Sequence, residues 1–261
     1  MKDRLPWLNE SVRVPTPRFL PATYPEYLAT VYTLWNVLDA IMHDHRQHMR
    51  PKFPYGYMRE VQLHAYAQHV WQQPNVRTYC ETGVNGGHGT AAMLSASPSL
   101  VSHSFDEVGQ PYSEAVFKFL GSYFRERFVP YRGNSHMLLP KATHLRRSCD
   151  VILVDGDHSE QGTYQDIVDM QKLASCGATL LLDDMGGSRA RLNSGPSLAL
   201  ERARDKGVVD IVQWHLYNRS SPENPCLRDK HGGRPMCIGE WGWAVARYKH
   251  CGKGKGAGAA E

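Results

Sequence analysis

Two rhythms of apolar residues divide the chain. From Pro25 to about Met49 they recur at helical spacing, at Leu28, Val31, Leu34, Trp35, Leu38, Ile41 and Met42, which predicts an amphipathic helix. A second helix is predicted over about 57–72, and Pro74 and Asn75 end it. Beyond that break the pattern becomes short apolar runs at 76–80, 100–105, 128–132, 151–154 and 179–182. Helical stretches fall between and after them at about 89–96, 111–125, 136–146 and 160–175. Alternation of this kind builds a parallel sheet covered by helices on both faces. A helix near 197–206 then leads into an apolar run at 208–217, a Pro/Gly-rich loop of about 20 residues, and a last run at 241–248. Two runs joined by a loop, with no helix between them, predict an antiparallel pair at the sheet edge.

The expected fold is therefore α/β: a doubly wound, Rossmann-like sheet of about seven strands, five parallel plus a C-terminal antiparallel pair, with a helical N-terminal extension. Residues 1–75 are read as an arm and helices serving as a lid or a homodimer contact, 76–250 as the catalytic-type domain, and 251–261 as a disordered, low-complexity tail.

Composition narrows the function classes. The 261 residues carry a formal net charge of +4, with lysines and arginines scattered instead of forming the concentrated basic face of a nucleic-acid binder. No stretch approaches the roughly 20 apolar residues of a membrane span, and residues 1–15 lack the apolar core of a signal peptide. The expectation is a soluble, cytoplasmic protein without membrane or nucleic-acid partners. None of the six cysteines forms a C-x-x-C pair, so a zinc ribbon or a redox motif is not indicated. Cys80, Cys149 and Cys176 sit beside apolar runs and read as small buried hydrophobes. Cys226 and Cys237 lie in the long loop, where a disulfide would need an oxidising compartment.

The first candidate site follows the first apolar run of the sheet. The segment Glu81-Thr-Gly-Val-Asn-Gly-Gly-His-Gly89 places Gly83, Asn85, Gly86 and Gly87 between a strand and a helix, where open α/β sheets bind ligands. Glycine lets the backbone turn sharply and approach a ligand closely. A carboxylate at Glu81, just before the turn, opposes a pyrophosphate but suits an ammonium. That favours S-adenosylmethionine (SAM), which has an amino-acid moiety, a sulfonium and no phosphate, over a nicotinamide dinucleotide. About 20 residues on, Asp106, or next to it Glu107, is placed to take the two ribose hydroxyls. Asn134 and Ser135, after the third run, are placed to meet the adenine edge.

The second constellation is acidic. Asp155, with Asp157 and His158 close behind, follows the fourth run, and Asp183 and Asp184 follow the fifth. Asp155, Asp183 and Asp184 can share one hard divalent cation such as Mg2+, which would lower the pKa of a substrate hydroxyl. The plain alternative is capping, with Asp157 and Ser159 closing the next helix. His158 is the histidine best placed to act as a general base, ahead of His88 and His215.

Together, Glu81–Thr90, Val154-Asp-Gly-Asp-His-Ser-Glu160 and Leu181-Leu-Asp-Asp184 resemble the class I SAM-dependent methyltransferases. They are most similar to the group with methyltransferase domain 24, which includes the cephalosporin-hydroxylase and macrocin O-methyltransferase kind. The resemblance implies Asp155, Asp183 and Asp184 as magnesium ligands and transfer of the SAM methyl to a hydroxyl of a small molecule, with Asp155 and His158 at the reacting centre. Two departures stand out: Asn134 replaces an acidic residue often found after the third strand, and residues 1–75 match nothing in the group. The competing readings are a metal-independent methyltransferase acting on nitrogen or on a macromolecule, and a SAM-fold protein that binds without catalysing.

Overall fold

A computed structural model describes residues 24–46, 58–73, 75–186, 194–217 and 241–249. Helices α1 (Tyr24–Arg46) and α2 (Glu60–Trp71) precede strand β1 (Thr78–Thr82). There follow α3 (His88–Ala96), β2 (Val101–Asp106), α4 (Ser113–Phe124), β3 (Phe128–Arg132), α5 (Ser135–Leu138), β4 (Cys149–Val154), α6 (Glu160–Leu173), β5 (Ala174–Leu182), α7 (Gly195–Asp205), β6 (Val209–Tyr217) and β7 (Trp241–Tyr248). The order across the single seven-stranded sheet is β3-β2-β1-β4-β5-β7-β6. β1 to β5 pair in parallel, while β7 runs antiparallel to both β5 and β6. The doubly wound architecture with its C-terminal antiparallel pair is the one the hydrophobic pattern predicts.

One predicted helix is much shorter. The stretch expected at 136–146 keeps a single α-helical turn, α5, and continues as tight 3-10 turns at Leu139–Lys141 and Thr143–Leu145. Pro140 lies in that stretch, and proline has no N–H for an i→i−4 bond.

Chain direction reverses between β1 and β4. From β1 the chain winds outward through β2 to β3, then returns to β4 on the other side of β1. Loops leaving the carboxyl ends of β1 and β4 diverge there and open the crevice in which doubly wound sheets bind ligands. The sheet separates two cores. One joins Leu34, Leu38 and Ile41 of α1 and Leu63 and Tyr66 of α2 to the apolar faces of α3 and α4. The other packs Ile167 and Met170 of α6 and Leu200 of α7 under Ile152 and Leu180. The apolar stripe of α1 is thus spent inside the chain's own core, and each large side chain so buried contributes about 2 kcal/mol. Polar bonds fix its position: Tyr27 Oη donates to Ala92 O at 3.2 Å and Trp35 Nε1 donates to His88 O at 3.1 Å, both on α3.

The cysteine expectation needs correction. Cys80 on β1 and Cys149 at the start of β4 form a disulfide with Cα atoms 5.7 Å apart, and Cys176 is also disulfide-bonded. Cys80 and Cys149 are buried as expected near apolar runs, whereas Cys176 is exposed; the neighbouring strands bring thiols 69 residues apart into reach. Such bonds persist in oxidising surroundings. The Cys226–Cys237 expectation and the disordered-tail expectation for 251–261 lie outside the described residues. Among the described residues, no helix is long and apolar enough to cross a membrane.

Closing a loop of this length removes about 4 kcal/mol of chain entropy from the unfolded state. Replacing Cys80 and Cys149 together by alanine is therefore expected to lower the unfolding free energy of the oxidised protein by roughly 3–4 kcal/mol in a denaturant titration. With a reductant present the gap to the native sequence should largely close; an equal gap under both conditions would show that the bond contributes nothing.

Candidate functional site

The glycine turn lies between β1 and α3 and is held by contacts that exclude side chains. Gly83 has φ +86°, and a Cβ built on it would lie 2.0 Å from the carbonyl oxygen of Asp155. No other residue fits without displacing the end of β4. Gly87, at φ +78°, is the N-cap of α3, where a Cβ would crowd Val116 at 2.9 Å. Asn85 also takes the left-handed conformation, at φ 47°, a region that asparagine tolerates better than most residues. Its side chain accepts a hydrogen bond from Tyr112 Oη at 2.5 Å. Gly86 is buried within the turn.

The acidic residues around the turn divide the work differently from the sequence expectation. Asp106, at the carboxyl end of β2, faces the turn itself: Oδ2 accepts from Val84 N at 2.8 Å and Asn85 N at 2.9 Å, and Oδ1 accepts from Val108 N at 2.6 Å. It clasps the loop through three backbone amides. Glu107 is the exposed carboxylate at this strand end, and Asn134 Nδ2 donates to it at 2.7 Å. Asn134 also caps α5 by accepting from His136 N, while Ser135 Oγ donates to Asp166 Oδ1 at 2.8 Å.

Glu81 is buried. Its carboxylate accepts from Thr90 on α3 at 2.7 Å, from Ser104 on β2 at 2.5 Å and from Tyr79 on its own strand at 2.8 Å. It is a polar node joining β1, β2 and α3, and its oxygens are engaged by the protein's own hydroxyls. Burial raises its pKa to about 7, against the lowering effect of the three hydrogen bonds.

At the ends of β4 and β5 the structure brings Asp155, His158 and Asp184 together: each offers one potential ligand atom, all within 4.8 Å of one another. His158 Nδ1 is 3.1 Å from Asp184 Oδ2, and His158 Nε2 is 3.6 Å from Asp155 Oδ1. Asp184 reaches this position through a left-handed backbone, φ 52°. The close Asp155 carboxylate, supported by the charge of Asp184, raises His158 to about 9, and burial raises Asp155 to about 6. Asp183 stands apart from this triad. Both of its oxygens accept from Gln62 Nε2 of α2, at 2.8 and 2.7 Å, and Asp184 N donates to Oδ1 at 2.7 Å. Burial, with repulsion from Asp155 and Asp184, raises its pKa well above the carboxylate range. Gln62 was invisible as a site residue in the sequence because nothing in the helical pattern of α2 says which polar residue faces the sheet. The capping alternative holds at the next helix, where Ser159 Oγ accepts from Gly162 N at 3.0 Å and Asp157 Oδ1 from Ser159 N at 2.8 Å.

The raised pKa of Glu81 has a definite sign. Below about 4.5 its carboxyl is protonated both folded and unfolded, and its contribution to stability is complete. As pH rises through about 7 the folded state must give up the proton, and that contribution is lost. Glu81→Gln should therefore gain on the native sequence between pH 5 and pH 8, by up to about 3 kcal/mol. Parallel denaturant titrations at the two pH values test this; a pH-independent difference would mean that Glu81 is ionised throughout.

Comparison with known proteins follows this geometry. Residues 80–185, from within β1 to just beyond β5, match the family model described as a methyltransferase domain. No curated protein sequence gives a significant match. Among solved structures, the chain is similar to an O-methyltransferase from Bacillus cereus in complex with SAH, with a TM-score of 0.59 and 14% identity over 82% of this chain and 91% of that one. It is also similar to the O-methyltransferase TomG from Streptomyces achromogenes, involved in tomaymycin synthesis and solved with SAM, at TM-score 0.56, 14% identity and 82% and 89% coverage. A third is the 1,6-didemethyltoxoflavin-N1-methyltransferase of Burkholderia thailandensis, at TM-score 0.53, 13% identity and 90% and 94% coverage. Identities this low speak to the fold, and the family match speaks to the segment that carries the glycine turn and both acidic strand ends: residues 80–185 resemble a methyltransferase domain, and the chain has the Rossmann-like fold of the similar methyltransferase structures.

Proposed function

We propose that this protein transfers the methyl group of SAM to a hydroxyl oxygen of a small molecule, with a divalent cation assisting at Asp155, His158 and Asp184. The observation that carries the reading is the meeting of the glycine turn and the Asp155–His158–Asp184 triad, which share one residue: Asp155 supports Gly83 with its carbonyl and faces His158 with its side chain. The O-methyltransferases of Bacillus cereus and Streptomyces achromogenes among the similar structures agree with oxygen as acceptor.

The residues present fit SAM. The turn bends tightly around Gly83 and Gly87, Glu107 is free in solvent apart from Asn134 for the ribose hydroxyls, and the chain after β3 lies beside it. SAM supplies an electrophilic methyl on a sulfonium. The protein's part is to hold donor and acceptor in line while the acceptor loses its proton. The triad also fits a cation: two carboxylates and an imidazole suit a divalent transition metal, and the two carboxylates alone, with waters, suit Mg2+ or Mn2+. Such an ion would stabilise an oxyanion on the acceptor. With the carboxylate charge unopposed, His158 keeps its proton at neutral pH. A cation taking that imidazole as a ligand would displace its proton, and the acceptor's own proton would leave to water from a hydroxyl whose pKa the ion lowers. Asp183, held by Gln62, braces the strand end against α2, so the N-terminal helices support the site from behind.

Methyl transfer from radiolabelled SAM to a panel of phenols, catechols and aliphatic alcohols tests the reading. The label is expected on oxygen, suppressed by EDTA and restored by Mg2+ or Mn2+. Asp184→Asn should lower turnover about a hundredfold or more with SAM affinity retained. Turnover unaffected by EDTA and by Asp184→Asn would instead support the metal-independent reading with nitrogen as acceptor, the acceptor in the name of the similar Burkholderia N1-methyltransferase.

A further inference from the structure

Helix α1 lies outside residues 80–185, yet it grips the far end of the glycine turn. Trp35, Leu38 and Asp39 share one side of that helix at spacings of three and four residues. They meet two successive residues, Gly87 and His88, where the turn becomes α3. Leu38 Cδ2 lies 3.4 Å from the position that a Cβ on Gly87 would take. Trp35 Nε1 donates to His88 O at 3.1 Å, with the two rings 5.6 Å apart. Asp39 Oδ1 lies 3.2 Å from His88 Nε2. A carboxylate only accepts, so Nε2 carries the hydrogen of this bond. The other ring nitrogen, Nδ1, is buried and meets no partner among the described residues. An unpaired buried polar atom costs stability, and an apolar side chain in this space would avoid that cost. What histidine gains in return is the bond to Asp39.

The turn's other polar and backbone anchors stop short of this point. Gly83 rests on Asp155, and Asp106 gathers the amides of Val84 and Asn85. Gly86, Gly87 and Gly89 follow, and glycine loses more conformational freedom on ordering than any other residue. The helix itself does little to fix its own start: α3 has no side-chain cap and no acidic residue in its first turn. The N–H groups of that first turn have no acceptor within the helix, and they point out of it toward the turn. Their aim follows the position of His88. We propose that Asp39 and Trp35 are positioning residues of the cofactor turn. Through His88 they hold the start of α3 in the geometry that receives SAM, which makes the N-terminal helix a working part of the cofactor site. Without the clamp, binding must first order the turn, and affinity falls by that cost. This inference rests on the SAM reading.

Amide hydrogen exchange and calorimetric titration with S-adenosylhomocysteine, both on the full chain, test it. The informative amides are those of Gly87 and Ala91, bonded to Val84 O at 2.8 Å and Gly87 O at 2.9 Å. The Asp39 side chain is half exposed, so Asp39→Ala should unfold at nearly the native denaturant concentration. In that variant the two amides should exchange about tenfold faster, and affinity for S-adenosylhomocysteine should fall about tenfold. Asp39→Asn keeps an acceptor for Nε2 and should recover most of both losses. Trp35→Phe keeps a ring but no N–H, and should shift both readouts the same way. A merely structural pair would lower the unfolding free energy and leave local exchange and affinity unchanged. That result, or an asparagine variant no better than the alanine one, would overturn the proposal. If the native chain binds no S-adenosylhomocysteine, the SAM reading fails, and the exchange rates still decide whether α1 holds the turn.

Discussion

The approach of Gly83 to the carbonyl of Asp155 is the constraint on which the site depends. A hydrogen is all that fits between the two backbones, so the turn after β1 lies directly on the end of β4. That contact sits where the winding of the sheet reverses, and the amides of the turn are then gathered by Asp106 from the neighbouring strand. One glycine therefore ties together the loop that would cradle the cofactor and the strand end that carries Asp155. Movement of either would be felt by the other, which is how a methyl donor and an acceptor can be held in register by separate strands.

Buried acids surround this contact, and they share a pattern. Glu81 and Asp166 are shielded from solvent and Asp183 partly so, and each is held by the protein's own donors: three hydroxyls, a serine, and a glutamine amide. Their pKa values are raised by burial. The more exposed acids, Glu107 and Asp184, are the ones free to meet a ligand. The inner set builds the frame and the outer set faces the crevice. The N-terminal helices belong to the frame, since α1 is bonded to α3 and α2 reaches Asp183 through Gln62.

Much of the fold was legible because parallel strands buried on both faces leave continuous apolar runs, and each run here reappears as a strand within a few residues. The glycine turn was legible for the same reason: only glycine satisfies the backbone at 83 and 87. Side-chain direction was not legible. Position at a strand end marks Asp106 and Asp183 as candidates, but it cannot show that loop amides occupy the first and Gln62 the second. Nor could spacing in sequence reveal that Cys80 and Cys149 are neighbours, which depends on β4 returning beside β1. The 3-10 turns after α5 are a smaller case, in which Pro140 overrides an otherwise helical pattern.

Ligand choice at the glycine turn is the point at which the whole reading stands or falls. Calorimetric titration of the intact protein with S-adenosylhomocysteine, and in parallel with NADH, examines it without knowledge of the methyl acceptor. One site per chain with micromolar affinity for S-adenosylhomocysteine, on the order of 8 kcal/mol of binding free energy, and no heat with NADH is the expected result. Binding of NADH with no response to S-adenosylhomocysteine would contradict it.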